Sequence, residues 1–304
     1  VTKCTCWIVA ILLAILPFSV AWGQAGVRIG ASFGYGAYSL DDINDFIDGT
    51  GEYWRDAEHE LEAEEIDVGF SSEELGGGLV ISGTVEYAVT DQISVGLELV
   101  PLSTSGEFSW DFEEVMAGGE GSIGAGERCD IEARATLVSL YGVYRVPVGN
   151  TGASLRLGGG AGLLFGALES DHRGFLEVTD AAGAAGRERE DWTENLEATG
   201  SGMAFHALVG IEYPIAPQVV LTGDVAYRFA SIAELEVDSV STNDELDLGG
   251  IYYETEEGKV LKWSDYDGDF GFDDWAPRFR TDRGRDVELD FGGLYLTFGI
   301  AYVF

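Results

Sequence analysis

Residues able to do chemistry are few in this sequence, and the densest group is acidic. In SDYDGDFGFDDW, residues 264–275, Asp265, Asp267 and Asp269 fall at every second position and Asp273 follows. A hard cation such as Ca2+ is held by several oxygens converging on one point, and alternating aspartates begin many calcium loops. Two residues depart from that pattern. Phe270 stands where the loop needs glycine for its sharp turn, and Ala276 where a bidentate glutamate belongs. Ca2+ at Asp265, Asp267, Asp269 and Asp273 is therefore the one metal expectation, weighed against a solvated acidic loop, and no other cofactor is expected.

Nucleophilic chemistry has less to work with. The histidines are His59, His172 and His206. Hydrolysis needs a nucleophile within hydrogen-bond reach of a base, and no serine or cysteine stands at a recognisable spacing from any of them. The expectation is a protein that is not an enzyme. His206 instead shares its parity with charges of both signs: Arg28, Arg145, Arg156 and Arg228 against Glu86, Glu98, Glu212 and Asp224. A charge taken out of water must be paired or change its protonation. Four of each sign point to an enclosed ion-pair network with His206 as a further partner, and some element must turn them all to one side.

That element is the strand, in which successive side chains point to opposite faces. Period-two alternation runs through 26–36, 79–89, 93–102, 136–146, 154–167, 204–213, 219–229 and 293–304. Tight turns rich in Asp, Pro, Gly and Asn join the second to the third segment, the fourth to the fifth and the sixth to the seventh. The other connections are long, near 41–77, 103–133, 169–198 and 230–290. Short turns on one side and long loops on the other predict an all-β fold: an eight-stranded antiparallel transmembrane up-and-down β-barrel with long extracellular loops, some helical.

The charge follows the same division. The chain carries a formal net charge of −37 and is 46% hydrophobic, which excludes a disordered polyelectrolyte and argues against nucleic acid as a partner. Of its 54 acidic residues, all but Glu86, Asp91, Glu98, Glu212 and Asp224 fall in the four long connections. Tyr87, Tyr144, Tyr213, Tyr302 and Phe304 sit at the short-turn ends, and Tyr35, Phe165, Tyr227 and Phe229 toward the long-loop ends, as two interfacial girdles would. A soluble barrel with the same period would turn its apolar face inward; the girdles and the charged second face favour the membrane form.

Residues 1–23 read as a secretory signal, with Lys3, the apolar stretch Trp7–Phe18 and small residues for cleavage between 21 and 25. A spanning anchor is the alternative, but Pro17 interrupts a run short of about 20 residues. The barrel domain is then 24–304, with Cys129 as its cysteine. In the first loop, 39–48 and 52–65 have helical spacing and suggest either a lid over the mouth or a loop packed on the rim. Residues 251–263 look like a hairpin above the membrane, with additional membrane strands as the alternative.

The C-terminal stretch TFGIAYVF carries Thr297, Gly299, Tyr302 and Phe304. This pattern resembles the sorting signal of outer-membrane β-barrel proteins, and the eight segments together are similar to the OmpA/OmpX-like (porin-family) superfamily. The loops are longer and more acidic than in its smallest members. The resemblance implies residence in the Gram-negative outer membrane, contact with its lipid and lipopolysaccharide, and handling by periplasmic chaperones and the barrel assembly machinery. The His-x-Ser pairing of a barrel lipid A deacylase is absent. The leading expectation is a non-catalytic barrel with a filled lumen and acidic loops, acting in envelope integrity or adhesion, with divalent cations bridging its carboxylates to lipopolysaccharide. A small cation-selective porin is the alternative, and an envelope-modifying enzyme comes third.

Overall fold

A computed structural model of the chain describes residues 26–38, 40–62, 68–115, 121–180, 187–243, 253–264, 278–281 and 284–304. Its strands are β1 (Val27–Tyr38), β2 (Val68–Glu73), β3 (Gly78–Ala88), β4 (Ile93–Val115), β5 (Gly121–Pro147), β6 (Ser154–Asp180), β7 (Arg187–Ala216), β8 (Val219–Ile232), β9 (Glu236–Asn243), β10 (Tyr253–Glu254), β11 (Lys262–Ser264), β12 (Arg278–Arg280), β13 (Arg285–Asp286), β14 (Leu289–Asp290) and β15 (Gly293–Val303). One helix, α1 (Asp41–Glu62), follows β1. The signal-peptide and calcium-loop stretches expected from the sequence lie outside the described residues.

Antiparallel pairing joins β1 to β3 and then each strand in turn through β8, β8 to β15, and β15 back to β1. No strand of this circuit is left with an unpaired edge along the segment where all eight lie side by side. The connections at one end are tight for identifiable reasons. Thr90 Oγ1 accepts the amide of Ile93 at 2.9 Å, Gly149 and Gly152 take left-handed φ values of 57° and 75° between β5 and β6, and Pro217 opens the turn into β8.

Along the circuit the outward positions are apolar and exposed. Phe33, Leu140, Phe205, Phe229 and Phe298 are each more than half accessible. Toward the far end this pattern reverses. On β5 the outward side chains change from Tyr144, Leu140 and Val138 to Arg134, Glu132, Asp130 and Arg128, while the inward ones change from Arg145 and Ser139 to Leu137, Ala133, Ile131 and Cys129. β6 does the same between Phe165 and Glu169. Period two persists throughout; only its phase inverts.

Two expected loops are therefore corrected. Most of 103–133 and 169–198 is strand, in unbroken register with the belt. β5 has 27 residues, roughly 90 Å at about 3.3 Å per residue, whereas an apolar band is only about 25 Å tall. The surplus makes a tower, a curved sheet ordered β2–β4–β5–β6–β7–β9.

The concave side of the tower is filled. Helix α1 begins with Asp41 and Asp42, which suit the positive end of its dipole, and buries Ile43, Phe46, Ile47, Thr50 and Tyr53 along one stripe. Phe46 stacks on Phe279 with centroids 4.4 Å apart and meets Phe108 at 6.0 Å. Gly51 lets the helix lie close to β2, since a Cβ there would stand 2.8 Å from the Phe70 ring and push it aside. The two helical stretches expected at 39–48 and 52–65 are one helix. Within the expected hairpin the described residues 253–263 do not pair with each other as one: β10 and β11 both pair with β12, in a second sheet ordered β10–β12–β11–β13, and neither joins the eight-strand circuit.

Candidate functional site

The enclosed face near the tight turns carries the charges singled out by parity. Arg28 Nη1 donates to both carboxylate oxygens of Glu212 at 2.8 Å. Arg145 reaches Glu212 through Nε at 2.9 Å and Glu86 through Nη2, and also donates to Ser94. Arg156 donates to Glu86 at 3.2 Å and to Asp224. One connected knot thus holds Arg28, Arg145 and Arg156 with Glu86, Glu212 and Asp224. Three side chains from two strands converge on Glu86, because Tyr141 of β5 adds its hydroxyl at 2.9 Å.

A second pair stands higher on the same face. Arg228 Nη2 donates to Glu98 at 3.1 Å and its guanidinium lies 4.4 Å above the Tyr295 ring, while Ser139 donates to the other Glu98 oxygen at 3.3 Å. His206 is not brought into these ion pairs: its Nδ1 is buried without a hydrogen bond, and its ring faces Tyr141 at 6.3 Å. The glycines opposite are close-fitting, since a Cβ at Gly160 would meet His206 at 2.8 Å.

Above Arg228 the interior becomes apolar. Val100, Leu137, Leu164, Ile232, Phe291 and Tyr295 are wholly buried and continue into the core beneath α1. Within that core lies a polar group that the sequence did not reveal. His172 has Glu127 at 3.5 Å from Nε2 and Glu194 at 3.7 Å from Nδ1, and Glu127 accepts the Trp110 indole N–H at 2.7 Å. Burial pushes the imidazole down, but the two carboxylates outweigh it and hold it up at about 9. Cys129 and Glu194 flank His172 on one rung, yet all three are at most 2% exposed, so no substrate reaches this thiol and base. Their common inward parity is legible in the sequence; the acidic composition around them hid it.

Of the C-terminal residues, Thr297 faces inward toward Asp224 and Arg228, and Gly299 packs where a Cβ would stand 2.8 Å from the Ala31 carbonyl. Tyr302 and Phe304 are exposed, with ring centroids 4.8 Å apart, and the Tyr302 hydroxyl donates to Gln218 at 2.7 Å.

The family model of the outer membrane protein beta-barrel domain matches residues 8–252. The chain belongs to this outer-membrane β-barrel family. Among solved structures, the outer membrane protein OprG from Pseudomonas aeruginosa is 13% identical, with a TM-score of 0.38 over 91% of this chain and 95% of that one. Neisserial surface protein A is 10% identical, with a TM-score of 0.36 over 92% and 97%. A major outer membrane protein from Thermus thermophilus is 14% identical, with a TM-score of 0.33 over 92% and 100%. A search of curated protein sequences finds no match. In an outer-membrane barrel the exposed apolar belt is the surface turned to lipid, and the charged tower stands beyond it.

Proposed function

We propose that the protein is a non-enzymatic, eight-stranded transmembrane barrel of the outer membrane with a sealed lumen, whose acidic tower is its working surface. The carrying observation is the double closure of the interior: an arginine and carboxylate knot below, and an apolar core with α1 above. Eight strands leave an interior just wide enough for side chains to fill, and the buried arginines already fill it. The tower then serves envelope integrity or surface contact. Its carboxylates attract divalent cations, which bridge them to the phosphates of lipopolysaccharide; Asp265, Asp267, Asp269 and Asp273 remain the candidate Ca2+ ligands. Residues 1–23 act as the exported chain's cleaved signal, and Thr297, Gly299, Tyr302 and Phe304 as the address read by chaperones and the assembly machinery.

Ion conductance in a planar bilayer, with and without millimolar Ca2+, tests the sealed lumen. Silence or rare small steps are expected. Stable cation-selective steps would overturn the reading in favour of a small porin. Removing divalent ions should expose the tower to protease in lipopolysaccharide-containing bilayers; unchanged protection would overturn the bridging role.

A further inference from the structure

Helix α1 meets the strands of the tower through two chains of contact that begin at one buried histidine. Phe108 on β4 has its ring centroid 6.4 Å from that of His172 and 6.0 Å from that of Phe46 on the helix. Trp110, also on β4, donates its indole N–H to Glu127 and stacks on Trp54 of the helix at 3.7 Å. Glu127 on β5 and Glu194 on β7 flank the imidazole, 3.5 Å and 3.7 Å from its two nitrogens. All three of these groups are buried.

We infer that His172 is a proton-operated latch: its imidazolium keeps α1 docked in the tower, and loss of the proton at alkaline pH releases the helix. The chemistry follows from counting donors. An imidazolium offers an N–H to each carboxylate, whereas the neutral ring has one N–H and one lone pair. After deprotonation one carboxylate therefore faces a lone pair inside the core, and a buried charge that loses its counter-charge must draw in water or take up a proton. Either response disturbs the cluster that holds the Trp110 indole, and with it the Trp54 ring stacked upon that indole. Among the described residues, the other groups around the ring carry no charge: Cys129 shares its rung, Thr242 of β9 stands beside Glu194, and β4 and α1 bring the four aromatic rings. Asp171 and Arg173 lie on the opposite face of the sheet and are paired to each other. Burial opposes the charged ring, the two carboxylates outweigh it, and the proton is held to about 9. That value sets where the latch opens.

The test is fluorine NMR of the refolded protein in lipid nanodiscs, carrying 5-fluorotryptophan and titrated from neutral to strongly alkaline pH. Trp54→Phe and Trp110→Phe assign the two signals. Both should move together with a midpoint at about pH 9, and the Trp54 signal should gain a solvent isotope shift between H2O and D2O as its ring leaves the stack. Glu127→Gln keeps an acceptor for Trp110 but leaves the ring a single carboxylate, so the midpoint should fall by about one pH unit; a histidine with a merely structural role would leave it in place. In His172→Gln the step should vanish. A native Trp54 signal that stays fixed across the titration would overturn the latch, as would a step that persists in His172→Gln or an unmoved midpoint in Glu127→Gln. Should His172→Gln fail to fold, the Glu127→Gln midpoint decides alone.

Discussion

At His172 one proton decides how a buried core is charged. The outward neighbours Asp171 and Arg173 are solvent-facing and paired to each other, so this histidine lies in the tower and not in the lipid belt. Its value rises from an ordinary 6.5 to about 9 on folding. Folding therefore favours the protonated ring, and the stabilisation, on the order of 3 kcal/mol, is complete below about pH 6.5 and lost as pH rises through 9. Protease cleavage within the tower should accelerate at least tenfold between pH 7.5 and 10 in the native protein and stay flat in His172→Gln; equal profiles would refute the assignment. Arg145 offers a contrasting case. Arg145→Met strips a partner from both Glu86 and Glu212 and should cost about 3–5 kcal/mol in urea unfolding. The charges of this lower network were legible from parity alone, because each sits on a strand whose apolar side is lipid-facing. The contribution of Tyr141 and Ser94 was not, since only register decides which inward hydroxyl reaches which carboxylate.

Among the elements, the belt halves of the eight strands were readable and the tower halves were not, for one physical reason. ERCDIEARATL, residues 127–137, alternates as regularly as any strand, but its charged side faces water and its apolar side faces the core, the inverse of the belt below. A reading that ties apolar to outward takes such a stretch for a loop, although Cys129, Ile131, Ala133, Ala135 and Leu137 mark a face. Helix α1 was legible from its spacing, and its burial from nothing local: it depends on a trough made by strands far away in the chain. Phe46→Ala should cost about 3–5 kcal/mol, seen as faster hydrogen exchange in α1 and β4, with lumen conductance unaltered because the knot lies elsewhere. Gly51→Val should unseat the same helix by driving into Phe70.

For the molecule as a whole, the belt and the tower are separable in sequence but continuous in hydrogen bonding. Because the circuit of eight pairings is completed within the belt, replacing 104–132 and 169–198 with short turns should leave a barrel that still shows heat-modifiable migration and inserts into bilayers; failure to insert would mean that the tower nucleates the fold. The intact register has a mechanical consequence. Strands β4 to β7 cross the membrane surface without a hinge, so the tower is a stiff mast that cannot tilt independently of the bilayer. A partner pulling on its tip loads the ladder bonds in shear, many rungs at once, instead of peeling them one by one. What is fastened to the carboxylate-covered end is thereby fastened to the membrane.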